Sequence, residues 1–216
     1  MTTSGNVRFL VLDAMGVMYQ NADDVTELLI PFVQQHNPDA NNDVVQHSYR
    51  LASLGILDTH DFWRQVGVDP AHEDDYLASH MLTPGLTAFL DWASGMGFGL
   101  ACLSNDVSMW SRKLRHRFGL SERFEKWVIS GDVGVRKPDP GIYLEVLQQL
   151  GVSAAELLFV DDRLANVEAA RRLGIRSLHF SDGLEATSEQ LVCRGFQDLR
   201  RCIEFVRAPD PCPRHP

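Results

Sequence analysis

The chain has 216 residues, of which 44% are hydrophobic and 23% charged, and its formal net charge is −9. This length and composition are those of an ordinary globular protein with room for one domain and a smaller insert. The negative charge disfavours nucleic acid and anionic membrane surfaces as partners. The first residues lack the apolar segment of a signal peptide, no run reaches transmembrane length, and the four cysteines show no close-spaced metal motif. We therefore expect a cytoplasmic protein with reduced thiols.

The first predicted element is a buried strand that ends in an acid. Phe9–Leu12 is an apolar run, and it is followed at once by Asp13 and soon afterwards by Gly16. Such runs are typical of parallel strands that are covered on both faces. Because ligands of open α/β sheets bind beyond the carboxyl ends of the strands, Asp13 stands where a catalytic group is expected. An Asp that closes a strand can also serve only as a turn residue, so the interpretation depends on the other strands.

Helical patterns without a convincing strand follow from about Gln20 to Met81. Apolar residues at helical spacing predict four helices, near residues 25–32, 44–54, 62–66 and 76–81. We therefore predict a small all-helical cap domain over residues 19–83, inserted into a core made of residues 1–18 and 84–206. The proline-rich tail, residues 207–216, is expected to be disordered.

Strand and helix patterns alternate from Pro84 onward. Buried strands are predicted at residues 98–103, 127–129, 157–160 and 175–180, with a helix between each pair and helical patterns from there to about residue 206. With the first strand, this alternation predicts right-handed crossovers between five strands. The predicted fold class is α/β, with a doubly wound, Rossmann-like parallel-sheet core.

Polar residues follow four of the predicted strands. In chain order they are Asp13, Ser104 with Asn105, Lys137 in the loop after the third strand, and Asp161 with Asp162. Since the carboxyl ends of parallel strands meet at one edge of the sheet, we expect these groups to converge. A carboxylate can attack phosphorus, a hydroxyl and an ammonium can hold phosphoryl oxygens, and paired acids can hold Mg²⁺. The set suits phosphoryl transfer, which depends mainly on positioning and charge neutralisation.

The segments that carry these residues resemble the motifs of the haloacid dehalogenase (HAD) superfamily, in its subfamily with a small helical cap after the first motif. The four segments are residues 10–17 (Leu-Val-Leu-Asp-Ala-Met-Gly-Val), 102–105 (Cys-Leu-Ser-Asn), 130–140 (Ser-Gly-Asp-Val-Gly-Val-Arg-Lys-Pro-Asp-Pro) and 159–170 (Phe-Val-Asp-Asp-Arg-Leu-Ala-Asn-Val-Glu-Ala-Ala). The resemblance implies a Mg²⁺-dependent hydrolase, a phosphatase of a small phosphorylated metabolite.

The resemblance also implies the site residues. Asp13 would be the catalytic nucleophile, and Ser104 and Lys137 would be catalytic groups that bind the phosphoryl oxygens. Asn105 would be a further substrate-binding residue. The implied ligands of the Mg²⁺ cofactor are Asp13, the backbone carbonyl of Met15, Asp161 and Asp162. Asn166 is either a helix residue that bonds locally or an outer support of the metal, and we favour the second interpretation.

Met15 departs from the pattern of the phosphatases that this chain resembles. Those enzymes usually carry a second Asp two residues after the nucleophile, which protonates the leaving oxygen and later deprotonates the attacking water. Methionine can do neither, and general acid–base catalysis typically contributes about 10²–10⁴-fold. Phosphates with good leaving groups, such as anomeric sugar, acyl or aryl phosphates, would suffer less from its loss. Some related phosphatases also lack this Asp.

Two alternative functions stay open at this point. A metal-free 2-haloacid dehalogenase needs no acid at Met15, because a halide leaves unprotonated, although adjacent carboxylates without a cation would raise each other's pKa. A non-catalytic descendant that binds a phospho-ligand or a protein partner would also explain the loss. The expected partner is a small phosphorylated substrate, or a 2-halo acid, with no nucleic acid and no membrane. The sequence indicates neither the substrate's identity nor the oligomeric state.

Overall fold

The computed structural model describes residues 6–181 and 192–207, with side chains up to residue 204. Within these residues six strands form one parallel sheet in the order β3-β2-β1-β4-β5-β6. The strands are β1 (Phe9–Leu12), β2 (Gly99–Ser104), β3 (Lys126–Ile129), β4 (Leu157–Asp161), β5 (Arg176–Phe180) and β6 (Val192–Cys193). The chain winds outward from β1 to β3 and then returns to β4 on the other side of β1. The switch point, where α/β sheets bind ligands, therefore lies between β1 and β4.

The predicted α/β class with a doubly wound parallel sheet is confirmed, but the number of strands is wrong. A sixth strand, β6, pairs with the outer edge of β5. The sequence predicted only helical patterns in this region. Two residues are too few to show the alternation by which a strand is detected, so β6 is defined by its pairing partner and not by its own pattern.

Helices cover both faces of the sheet. They are α1 (Ile30–His36), α2 (Asn42–Ala52), α3 (Thr59–Gln65), α4 (Glu73–Ala78), α5 (Leu86–Gly95), α6 (Ser108–Arg117), α7 (Ser130–Val133), α8 (Pro140–Leu150), α9 (Leu164–Arg172) and α10 (Phe196–Arg207), with a π-helical turn at Val25–Leu29 and 3₁₀ turns at Pro70–His72, Ser121–Arg123 and Ala154–Glu156. The short helix α7 occupies part of the segment after β3 that was expected to be a loop. None of these helices combines the length and apolar character needed to cross a membrane.

The apolar run of β1 is explained by burial on both sides. Leu10 and Leu12 point into one hydrophobic cluster, and Val11 points into the other cluster on the opposite face, where it joins Phe159 of β4. All three β1 side chains are fully buried. A strand with two covered faces has no polar side, which is why its sequence does not alternate.

The two ends of the helical segment between β1 and α5 lie next to each other. The amide of Gln20 donates to the carbonyl of Met81 at 2.9 Å, and the amide of Thr83 donates to the carbonyl of Met18 at 2.9 Å. This pairing is compatible with an inserted cap, and the division into residues 19–83 and a core stays a prediction. Of the predicted disordered tail, Arg207 ends α10, and residues 208–216 lie outside the described residues.

A buried carboxylate joins this helical segment to the sheet-covering helix α6. The indole nitrogens of Trp63 and Trp110 both donate to Glu73 Oε2, at 3.0 and 2.9 Å, and Lys113 Nζ donates to Glu73 Oε1 at 2.7 Å. Trp63 is fully buried, as expected for a core residue. These contacts hold α4 against α6 and thereby place the helical segment over the sheet.

Candidate active site

Asp13 is the first residue beyond β1 and is buried at the switch point. Its amide continues the strand pairing by donating to the carbonyl of Val160 at 2.9 Å. The amide of Ala14 donates to Asp13 Oδ1 at 2.7 Å. The end of β1 therefore determines both the position and the orientation of the carboxylate.

Lys137 connects the ends of three neighbouring strands. Its Nζ lies 2.7 Å from Asp13 Oδ1 and 2.7 Å from Asp161 Oδ2, and it donates to the carbonyl of Leu103 at 2.7 Å. The side chain is only 1% exposed. Burial lowers the pKa of Lys137, but the two carboxylates outweigh this effect and leave its pKa raised. Lys137 is therefore a buried ammonium with all three of its protons directed to oxygen atoms.

Asn105 holds the backbone of Lys137. Its Nδ2 donates to the carbonyl of Lys137 at 2.9 Å, and the amide of Lys137 donates to Asn105 Oδ1 at 2.7 Å. The hydroxyl of Tyr49 from α2 donates to the carbonyl of Asn105 at 3.2 Å. Both amide atoms of Asn105 are thus engaged in positioning Lys137. Its predicted role in binding substrate stays a prediction.

Asp161, at the end of β4, has protein donors on both carboxylate oxygens. Asp161 Oδ1 accepts from the amide of Arg163 at 2.8 Å and from Asn166 Nδ2 at 3.0 Å. Asp161 Oδ2 accepts from Lys137 Nζ at 2.7 Å and from Asn166 Nδ2 at 3.1 Å. Asn166 therefore supports this carboxylate, which the sequence predicted to be a metal ligand.

Asp162, the next residue in the chain, lacks a protein donor on one of its carboxylate oxygens within the part that the structure describes. Its Oδ1 is buried and has no hydrogen-bond partner among the described residues, although oxygens of Asp13, Asp161 and Asp162 lie within 4.8 Å of one another. Gly16 leaves the space for this side chain, because a Cβ on Gly16 would lie 2.5 Å from Asp162 Oδ2. Gly16 also has a φ of +75°, a conformation that favours glycine.

The charges of this cluster do not balance. The ammonium of Lys137 pairs with Asp13 and Asp161, and Asp162 is a third carboxylate of the cluster, so these four groups have a formal excess of two negative charges. The guanidinium of Arg163 also acts on these acids, but it forms no ion pair with them within 4 Å among the described residues. Burial raises the pKa of Asp13 well above its usual range, Lys137 opposes this, and Asp161 and Asp162 add to it. Burial and the neighbouring Asp161 raise the pKa of Asp162 to about 6. A divalent cation with oxygen ligands fits this site, because it would neutralise the excess and engage the unpartnered oxygen of Asp162.

A cavity of about 470 Å³ opens above these groups, and Asp13, Met15, Ser104, Asn105, Lys137 and Asn166 lie on its wall. The structure thus brings most of the predicted site residues to one cavity. Asp161 is fully buried, and Asp162 lies on the wall of a separate cavity together with Gly16 and Ala22. Ser104 is buried and is the last residue of β2, which extends one residue beyond the predicted strand. The individual roles of these residues stay predictions.

The cavity wall includes charged residues that the sequence did not identify. They are Asp23, Asp24, Asp43, Arg50, Arg136 and Arg163. Arg136 and Arg163 could have been inferred, since each precedes or follows a predicted site residue. The others come from the helical segment, whose packing over the sheet is not visible in local patterns. Tyr49 joins them, with the guanidinium of Arg136 lying 5.6 Å from the centre of its ring.

Residues 8–174 match the family model of the haloacid dehalogenase-like hydrolases. The chain belongs to this family. The predicted superfamily and the predicted enzyme class, a hydrolase, are thereby confirmed, and with them the basis on which the sequence motifs were interpreted.

Two curated relatives of this HAD-like hydrolase are named as phosphatases. The sesquiterpene phosphatase astK of Aspergillus oryzae is 29% identical over 170 residues, which cover 68% of this chain and 87% of the relative. The phosphoglycolate phosphatase of Pseudomonas syringae pv. tomato is 32% identical over 135 residues, or 59% of this chain and 49% of the relative. The chain thus spans about half the length of the latter. These relatives favour a phosphatase over a dehalogenase.

Solved structures of both activities share the fold of this HAD-like hydrolase. A HAD phosphatase from Thermococcus onnurineus superposes with a TM-score of 0.73 at 19% identity, covering 94% of this chain and all of the other. The L-2-haloacid dehalogenase of Xanthobacter autotrophicus superposes with a TM-score of 0.65 at 18% identity, covering 92% and 98%. At these identities the likeness shows the fold alone.

Proposed function

We propose that this hydrolase cleaves a small phosphate monoester through a phosphorylated Asp13, with Mg²⁺ as its cofactor. The observation that carries the proposal is the buried contact of Asp13 with Lys137, beside an acid pair whose negative charge is not balanced. The phosphatase names of the relatives agree with it. A divalent cation and a phosphoryl group are the natural occupants of a site that pairs excess carboxylates with an ammonium and a hydroxyl.

We assign the covalent step to Asp13 and the binding of the phosphoryl oxygens to Lys137 and Ser104. Both hydrogen-bond donors of Asp13 reach its Oδ1, so Oδ2 is the oxygen that we assign to attack on phosphorus. The new bond joins Asp13 Oδ2 to phosphorus, and the bond from phosphorus to the leaving oxygen breaks. Water then cleaves the acyl phosphate, which releases inorganic phosphate and restores the carboxylate.

We assign the cation to Asp13, Asp162 and the backbone carbonyl of Met15, with Asp161 beside them. Asp161 is already surrounded by protein donors, which suits a supporting position better than that of the principal ligand. When bound, Mg²⁺ neutralises negative charge on the phosphoryl group. Asp13, Lys137 and Ser104 bring the reacting groups together.

The substrate that we propose is a small metabolite phosphate. A cavity of about 470 Å³ is at the lower end of the range for small-molecule sites, and its wall carries both carboxylates and guanidinium groups. These groups suit a polar substrate. The proposed location is the cytoplasm, with neither nucleic acid nor membrane as a partner.

The direct test is hydrolysis of p-nitrophenyl phosphate with Mg²⁺ and with a chelator. We expect turnover that requires the metal and that falls at least about 10³-fold in Asp13→Asn, because the amide cannot attack phosphorus. Asp39→Asn is the matched control, since Asp39 is exposed and lies outside the cavity wall. Full activity in Asp13→Asn would contradict the proposal.

Two further assays on the unsubstituted protein test the two alternative functions. A metal-free dehalogenase would release halide from 2-chloropropionate in the presence of a chelator. A non-catalytic descendant would bind phosphorylated ligands without releasing phosphate. If the protein shows either result and no metal-dependent release of phosphate, the proposed phosphatase function is wrong and the corresponding alternative takes its place.

A further inference from the structure

Asp24 is a second carboxylate in the cavity that contains Asp13. It lies on the cavity wall together with Asp13, Met15 and Ser104, and it is only 5% exposed. No ion pair within 4 Å joins Asp24 to a basic side chain in the described part of the chain. The backbone amide of Val25, its neighbour in the chain, lowers its pKa. A buried carboxylate without a paired cation is costly, and such groups are concentrated at functional sites.

The backbone path brings the segment before Asp24 against Gly16, the residue that follows Met15. After Met15 the chain turns back, so that the Cα of Ala22 lies 3.1 Å from the point that a Cβ on Gly16 would occupy. Arg163, next to Asp162, donates to the carbonyl of Ala22 at 3.3 Å. The segment that leads into Asp24 thus packs on the residue that follows Met15 and is held by the loop after β4.

We propose that Asp24 is the general acid and base of this enzyme, in place of the carboxylate that Met15 does not supply. This inference rests on the proposed phosphatase function. The helical segment would then supply a catalytic residue as well as a cover, and hydrolysis would require it to be seated over the sheet.

Asp24 transfers one proton in each of the two steps. In the first step Asp13 bonds to phosphorus, the bond to the leaving oxygen breaks, and protonated Asp24 gives its proton to that oxygen, so that a neutral alcohol departs. In the second step ionised Asp24 takes a proton from the water that attacks phosphorus. The Asp13–phosphorus bond breaks, inorganic phosphate leaves, and Asp24 is protonated again.

The surroundings of Asp24 suit both steps. Burial raises the pKa of Asp24 to about 7. The neighbouring carboxylate of Asp23 raises it further, whereas Arg163 and Arg136 lower it. The titratable and charged groups that act on it are Asp23, Tyr49, Tyr76, Asp106, Arg136 and Arg163. A carboxyl group with a pKa near the working pH is present in both forms and can serve as acid and as base.

The test compares two substrates in Asp24→Asn. An alkyl phosphate such as glycerol 3-phosphate needs a proton on its leaving oxygen, whereas p-nitrophenolate leaves without one. We expect kcat/KM for the alkyl phosphate to fall about 10²–10⁴-fold and that for p-nitrophenyl phosphate to fall less than about tenfold. In the unsubstituted enzyme, kcat/KM for the alkyl phosphate should decline above about pH 7, and Asp24→Asn should remove this decline.

Two further variants make the test specific. Asp39→Asn removes an exposed carboxylate outside the cavity wall and should leave the ratio of the two substrate rates unchanged. Met15→Asp, added to Asp24→Asn, should restore at least tenfold of the lost alkyl phosphatase activity, because it returns a carboxylate to the site. A merely structural role of Asp24 predicts equal losses on both substrates and no such restoration.

The outcomes separate this inference from the proposed function. Equal losses on both substrates, or no loss on the alkyl phosphate, overturn the role of Asp24 while metal-dependent hydrolysis of p-nitrophenyl phosphate still stands. If the unsubstituted enzyme hydrolyses neither substrate, the proposed function fails and this inference fails with it.

Discussion

Asn166 donates its side-chain amide to both carboxylate oxygens of Asp161, at 3.0 and 3.1 Å. The backbone of Asn166 is itself positioned by Tyr143, whose buried hydroxyl donates to the carbonyl of Asn166 at 3.0 Å. The carboxylate at the end of β4 is therefore oriented by α9 and, through Lys137, by the loop after β3. Several elements thus determine the geometry of one acid, which makes each of these contacts a place to test the site.

We expect Asn166→Ala to lower the free energy of unfolding by about 1–3 kcal/mol, because Asp161 loses a buried donor. Phosphatase activity should fall as well, since the carboxylate can then rotate away from the cluster. Urea denaturation and steady-state kinetics measure the two effects. Asn42→Ala is the control, because Asn42 accepts only an exposed hydrogen bond from Gln34. Equal stability of Asn166→Ala and the unsubstituted protein would contradict the prediction.

We expect Lys137→Met to destabilise the protein by about 3–5 kcal/mol at pH 7, because Asp13 and Asp161 then remain buried without their cation. The loss should shrink as the pH falls, because burial raises the pKa of Asp13 and its protonation removes one of the uncompensated negative charges. Denaturation at pH 7 and pH 5 checks both statements. Lys113→Met is the comparison, because Lys113 pairs with acids at a site where its side chain is 39% exposed. Its effect should be about 1 kcal/mol or less.

We expect Gly16→Ala to abolish most of the activity, because the added Cβ would lie 2.5 Å from Asp162 Oδ2 and displace that carboxylate. The stability of the metal-loaded protein should fall more than that of the metal-free protein, which differential scanning fluorimetry with and without Mg²⁺ measures. Gly119→Ala is the matched control. Gly119 has a φ of +65°, and a Cβ there meets nothing within 4 Å. It therefore reports backbone strain alone, and equal effects of the two substitutions would refute a special role for Gly16.

His80 should make stability depend on pH. It is buried, its Nδ1 has no hydrogen-bond partner among the described residues, and burial lowers its pKa to about 4. Between about pH 6.5 and pH 4 the unfolded chain binds a proton that the native protein does not. The unfolded state is therefore favoured as the pH falls through this window.

We expect the stability difference between the unsubstituted protein and His80→Gln to shift by up to about 3 kcal/mol between pH 7 and pH 4, in favour of the variant at the lower pH. Each protein is compared with itself across this pH range. The effect of the substitution on packing is the same at both pH values and therefore cancels. His60→Gln is the control, because His60 has a 61% exposed side chain. A constant difference between His80→Gln and the unsubstituted protein at all pH values would show that His80 does not titrate in this window.

The sequence alone determined the fold class and the edge of the sheet where the polar residues meet. Both follow from local information. Apolar runs such as Phe9–Leu12 indicate strands covered on both faces, and parallel strands place the residues at their ends on one edge. Asp13, Ser104 and Lys137 could therefore be assigned to a common site before their distances were known.

The tertiary structure alone decided how these residues are used. Asn105 bonds the backbone of Lys137, while Asp161 is surrounded by donors and its neighbour Asp162 is not. Adjacent residues in one motif thus have opposite environments, which depend on contacts with side chains distant in the sequence. Asp24 is the clearest case, because only the packing of the helical segment over the sheet brings it into the cavity of Asp13. Local periodicity contains no information about that packing, since its contacts join segments far apart in the chain.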